Sequence, residues 1–108
     1  MTRTKEAILE ERRHLKEEYR EVYDNVVSLL FRHDPIGIKF ETNTDEYEPE
    51  AGTILPRLRR CLSESDALRI IHEEFVHWFG AETAGPRERY AQISTEIWQL
   101  WRKFNAAE

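Results

Sequence analysis

The stretch Asp34-Pro-Ile-Gly-Ile-Lys-Phe-Glu-Thr-Asn-Thr-Asp-Glu-Tyr-Glu-Pro-Glu-Ala-Gly52 decides how the chain is organised. It is acidic and rich in turn formers, and it lies between two segments whose apolar residues recur at helical spacing. Asp34-Pro35 must end whatever helix precedes it, because the residue before proline is pushed out of helical geometry. Ile36–Phe40 has room for a short extended piece, and Thr42–Tyr47 carries turn and capping residues. A second helix is expected to start near Pro49, a residue tolerated in the first turn.

Outward from this insert, the pattern is helical on both sides. Upstream, Ile8, Leu15, Tyr19, Val22, Val26 and Leu29 form one stripe, widened by Tyr23, Val27 and Leu30, which predicts a helix from about Thr4 to Phe31. Its first half is mostly charged, and it either projects into solvent or runs along a second copy of the chain as a homodimer. Downstream, Ala51, Ile54, Leu55, Leu58 and Leu62 give the second helix its apolar face. Pro56 lies inside that pattern, with Gly52 leaving room for a kink. Ser63 with Asp66 resembles a capping box opening a third helix with Leu68, Ile71, Phe75, Trp78 and Phe79, which Gly80 ends. Gly85-Pro86 opens a fourth with Tyr90, Ile93, Ile97, Leu100, Trp101 and Phe104 on one face. The expectation is an all-α single domain over residues 1–108. It would be a compact bundle of about four helices, with one long acidic connection between the first and second.

Composition supports that size and narrows the class. A chain of 108 residues makes one domain and buries about two-thirds of its unfolded surface. The single cysteine, Cys61, cannot form an internal disulfide, which fits a reducing compartment. No apolar run approaches the ~20 residues of a membrane span, and the first residues lack the apolar core of a signal peptide, so a cytoplasmic protein without membrane partners is expected. The net charge of -5 is unevenly spread: residues 31–55 hold two basic and six acidic groups, and the rest is nearly balanced. A nucleic-acid binder needs the opposite sign concentrated somewhere, so that class is set aside.

Several chemistries can be tested against the residues. Glu11 with His14, and Glu74 with His77, stand at i, i+3, the spacing of carboxylate-bridged di-iron bundles. Such sites need two further inward glutamates, and Glu11 and His14 lie in the most charged part of the chain. Local Glu–His pairs on a solvated face are the plainer reading, and no metal or cofactor is expected. His72 and His77 are five apart and diverge by about 140° around a helix, so the zinc-protease helix fails on geometry. Glu41–Gly52 has oxygen ligands at loop positions one, three and five, but Glu46 and Gly52 stand where an EF-hand needs glycine and glutamate, which leaves only an irregular calcium site. Cys61, beside Leu58 and Leu62, reads as a buried structural thiol. Phe75, Trp78, Phe79, Trp98, Trp101 and Phe104 read as core rather than as a ligand pocket. Trp98 and Trp101 together are wide for one face, which leaves one of them partly exposed at an interface.

The insert remains. Asp34, Pro35, Gly37, Asp45, Tyr47 and Pro49 are specific turn and cap chemistry, and connections this long tend to be functional or disordered. The segments DPIGI (34–38), DEYEPE (45–50) and ILPRL (54–58), followed by FVHWFG (75–80), resemble the YugE-like family of small bacterial proteins. That family of unknown function is marked by a DP-x-G segment and a downstream DEY-x-x-E segment. The resemblance covers residues 34–80, and the long charged N-terminal helix and His33 depart from the family pattern. It implies a helical fold, in a family for which no enzymatic activity is established. Similar small acidic proteins occur among immunity proteins that neutralise toxins, which adds that role to the expectation. The reading is a non-enzymatic protein-binding module, an immunity-type inhibitor being its specific form. A metal- or small-ligand-binding bundle is the alternative. Asp34, Pro35, Gly37, Asp45 and Tyr47 are expected to hold the insert in place. Glu41, Asp45, Glu46, Tyr47, Glu48 and Glu50 would then meet a protein partner, basic if charge selects it.

Overall fold

Ser63 shows how closely local chemistry sets the helices. Its hydroxyl accepts from the backbone N–H of Asp66 at 3.2 Å, and the Asp66 carboxylate accepts from the N–H of Leu62 at 2.9 Å. The two side chains cap the start of the helix reciprocally, the shorter aspartate reaching the residue before the N-cap. The computed structural model describes residues 13–14, 17–37 and 47–107. Its elements are α1 (Glu21–His33), α2 (Glu48–Leu58), α3 (Glu64–Phe79), α4 (Ala81–Ala84), a 3-10 turn (Arg87–Tyr90) and α5 (Ala91–Ala107). The fold is all-α, and no strand occurs among the described residues. No described helix is long and apolar enough to cross a membrane.

The helix count and several boundaries correct the sequence reading. The first helix is not continuous: Arg20 takes φ 52° and ψ −129°, and α1 begins only after it. A non-glycine residue there is strained, so packing on both sides must hold it. Just before the break, Tyr19 is buried against Trp101 and Phe104, with Arg59 over its ring at 5.4 Å. At its other end α1 stops as expected. Asp34 adopts the left-handed conformation, which aspartate tolerates better than most residues, and its N–H still bonds the Leu30 carbonyl at 2.8 Å. Ile36 and Gly37 belong to a turn rather than an extended piece, Gly37 donating to the Asp34 carbonyl at 3.2 Å.

Gly80 ends α3 with φ 84°, but the chain then makes the extra turn of α4. The last two carbonyls of this turn are met by side chains. Arg89 Nη1 donates to the carbonyls of Thr83 and Ala84 at 3.1 and 3.0 Å, and to that of Pro35 at 3.2 Å. Tyr90 adds its hydroxyl to the Ala84 carbonyl at 2.6 Å, and His72 Nε2 lies 2.9 Å from the Gly85 carbonyl. Gly85 sits at φ 79° under the Arg89 guanidinium, and a Cβ there would lie 2.6 Å from Arg89 Cζ.

The core is drawn from every helix: Val26 and Leu30 from α1, Ile54 and Leu58 from α2, Ile71 and Phe75 from α3, Ile97 and Trp101 from α5. α1 lies against α5 and α2, and α3 packs on α2, α4 and α5. α1 and α5 are therefore neighbours. Replacing Phe75 by alanine would open a cavity costing about 3–5 kcal/mol. Two expected core residues are outside: Leu62 is 91% exposed and Trp78 43%. α2 ends at Leu58, so Cys61 takes the inward place assigned to Leu62. Trp78 flanks the core-facing side of α3 and donates its indole N–H to Thr53 Oγ1 at 3.0 Å. Of the other aromatics, Phe79, Trp98 and Phe104 are only partly buried.

Candidate binding groove between the first and last helices

The residues expected to meet a partner are placed differently from one another. Tyr47 is fully buried, its ring 6.1 Å from that of Phe75. Glu48 is 8% exposed and its Oε1 accepts the Tyr23 hydroxyl at 2.9 Å, while Glu50 is only 4% exposed. Tyr47, Glu48 and Glu50 are thus buried in the bundle rather than exposed on its surface. The first turn of α2 buries them because it lies directly on α1, whose Tyr23 reaches it. Glu41, Asp45 and Glu46 lie outside the described residues, as does Glu11.

The motif residues Asp34 and Tyr47 are brought together. Tyr47 donates its hydroxyl hydrogen to Asp34 Oδ1 at 2.6 Å and accepts from the Ile36 N–H at 3.2 Å. Pro35 contributes the carbonyl held by Arg89, and Gly37 sits at φ 78°, a conformation in which L side chains are strained. The connection is thus closed at its base by side chains from both of its ends.

The i, i+3 pair Glu74 and His77 is not drawn together around one point. Glu74 is ion-paired with Arg57 at 2.7 Å, and His77 lies edge-on to the Trp78 ring. His14 is exposed on the helical stretch before the Arg20 break. Among the described residues no group of three or more His, Cys, Asp or Glu side chains converges. Arg57 also donates to Glu73 at 2.7 Å, and Arg69 reaches Glu73 at 3.4 Å. Hydrogen bonding to Arg57 holds the Glu73 carboxyl below its ordinary range.

Cys61 borders a depression of about 370 Å³ with Arg57, Arg60 and Arg69. The arginines would favour a thiolate, yet burial prevails and pushes the thiol pKa up. A thiol in that state is a poor nucleophile.

A larger feature was not singled out from the sequence. α1 and α5 lie side by side with an open groove of about 730 Å³ between them. Asn25, Ser28 and Arg32 form one wall, at the three- and four-residue spacing of a single helix face. Gln99, Arg102 and Lys103 form the other, and Leu29 and Leu100 lie at its base. At one end Glu96 Oε2 stands 2.6 Å from His33 Nε2 and 3.4 Å from Gln92 Nε2, linking the two helices. The polar residues flanking the apolar stripes were visible in sequence. Their juxtaposition was not, because it depends on α1 and α5 meeting. Compared with known proteins, the chain matches no family model, no curated sequence and no solved structure.

Proposed function

We propose that this protein is a non-enzymatic binding module of the cytoplasm that seats a segment of a partner protein in the α1–α5 groove. One observation carries the reading: Arg32, Arg102 and Lys103 line the groove from both walls, are exposed, and make no ion pair among the described residues. Elsewhere Arg57, Arg59, Arg69 and Arg89 are committed to carboxylates or carbonyls, and the exposed Arg20, Arg60 and Arg87 do not line the groove. Uncommitted donors over a partly apolar floor suit recognition of a chain segment. An immunity-type inhibitor is the specific form implied by the resemblance at residues 34–80. The groove, rather than the buried Tyr47, Glu48 and Glu50, is then the surface presented to the target.

A photo-crosslinking residue in place of Gln99, compared with one in place of Arg87 away from the groove, tests this in cells. A discrete adduct from position 99 and none from position 87 is the expected result. Equal labelling at both positions, or adducts only at 87, overturns it.

A further inference from the structure

We infer that the segment seated in the α1–α5 groove is acidic, a run of Asp or Glu side chains with an apolar residue among them. The inference rests on the binding-module reading and adds the chemistry of the partner. Arg32 on one wall and Arg102 and Lys103 on the other face a ligand from two sides. The carboxylate bordering the groove, Glu96, is already engaged by His33 and Gln92. The groove is therefore locally cationic on a chain whose net charge is -5. A local excess of positive charge on an anionic protein selects for a short acidic segment rather than for a broad anionic surface, which the rest of the chain repels. Two guanidinium groups can each take a carboxylate in two parallel hydrogen bonds, which a lysine cannot do. Leu100, half-buried at the base, offers an apolar side chain a place between the charges.

The test uses the whole chain and a fluorescent synthetic peptide alternating Glu with Leu, with Gln–Leu and Lys–Leu peptides as comparisons, read by anisotropy. The acidic peptide should bind more tightly than either comparison. Its affinity should weaken roughly tenfold between low and high salt, because the contacts are exposed and screened. The variant carrying Arg32→Gln, Arg102→Gln and Lys103→Gln should lose roughly tenfold or more in affinity. Its melting temperature should be unchanged, since those side chains hold nothing together, and a melt of the variant guards against unfolding. Absence of acidic-peptide binding, equal binding of the Gln–Leu peptide, or an unaffected triple variant overturns the inference. Sedimentation that shows a dimer which the acidic peptide dissociates also overturns it, by making a second copy's acidic segment the occupant. A crosslink from position 99 to a partner with no acidic segment leaves the binding module standing while this inference falls. An acidic peptide bound at the groove with no cellular adduct from position 99 upholds this inference and removes the module reading.

Discussion

Tyr47 and Asp34, thirteen positions apart, share a hydrogen bond of 2.6 Å that closes the base of the acidic connection. The same hydroxyl receives the Ile36 N–H at 3.2 Å, so one side chain ties together the turn that follows α1. A charge-assisted bond in a partly buried place is worth more than a neutral surface one. Tyr47→Phe should therefore lower stability by about 1–3 kcal/mol. Asp34→Asn keeps a residue that tolerates the left-handed conformation while weakening the acceptor. A double-mutant cycle on the two, followed by urea denaturation, should show a coupling of about 0.5–3 kcal/mol. Additive losses would mean the contact contributes nothing of its own.

Glu48 illustrates the second prediction. Read as an exposed acidic residue it should be replaceable at no cost, but its carboxylate lies buried against the Tyr23 hydroxyl. Glu48→Ala removes that acceptor from a buried donor and should destabilise by about 1–3 kcal/mol. Glu82→Ala, at an exposed position of α4, should stay within about 0.5 kcal/mol. Chemical denaturation of the two variants side by side decides which description of Glu48 holds.

What the sequence could and could not convey follows from these cases. Ser63 with Asp66, Asp34-Pro35, Pro49 and Gly80 were legible because each acts within a few residues of itself, through capping or a fixed dihedral. Glu48, Leu62, Trp78 and the strained Arg20 were not. The environments of Glu48 and Trp78 are made by partners 25 positions away, Tyr23 for the one and Thr53 for the other, while Leu62 is left outside because α2 stops at Leu58. Helical periodicity gives the face of each helix but not which faces meet, and the groove is purely a product of that pairing. The expected bundle was legible at the level of class, whereas its binding surface was not.

Gly85 and Arg89 form a tight pair. The guanidinium is held over Gly85 by three carbonyls, so it cannot swing aside without giving up those bonds. Gly85→Ala should cost more than about 1 kcal/mol, combining the strain of φ 79° with displacement of Arg89. The double variant Gly85→Ala, Arg89→Ala should fall short of the sum of the two single losses, because the alanine then clashes with nothing. Thermal unfolding of the three variants checks this.

The Arg57–Glu73 pair gives a pH dependence of known sign. Glu73 is held below its ordinary value of 4.5, so its contribution is full above that pH and fades as pH falls through the lower folded-state value. The pair is exposed, and the effect should be no more than a few tenths of a kcal/mol. Glu73→Gln should leave a slightly shallower loss of stability on acidification below about pH 4.5 and no change in slope near neutrality. A steeper acid limb in the variant would contradict the assignment.

The neighbouring placement of α1 and α5 also shapes how the chain is born. His33 and Glu96, which face each other, are 63 positions apart. At ribosomal rates of 5–20 residues per second, roughly 3–13 s separate the synthesis of the two. Throughout that interval the side of α1 that meets α5, Leu29 included, lacks the helix that packs on it. The nascent chain must carry that bare stripe until nearly the whole domain has left the exit tunnel, so a ribosome stalled before α5 would display a segment ready to stick to its neighbours.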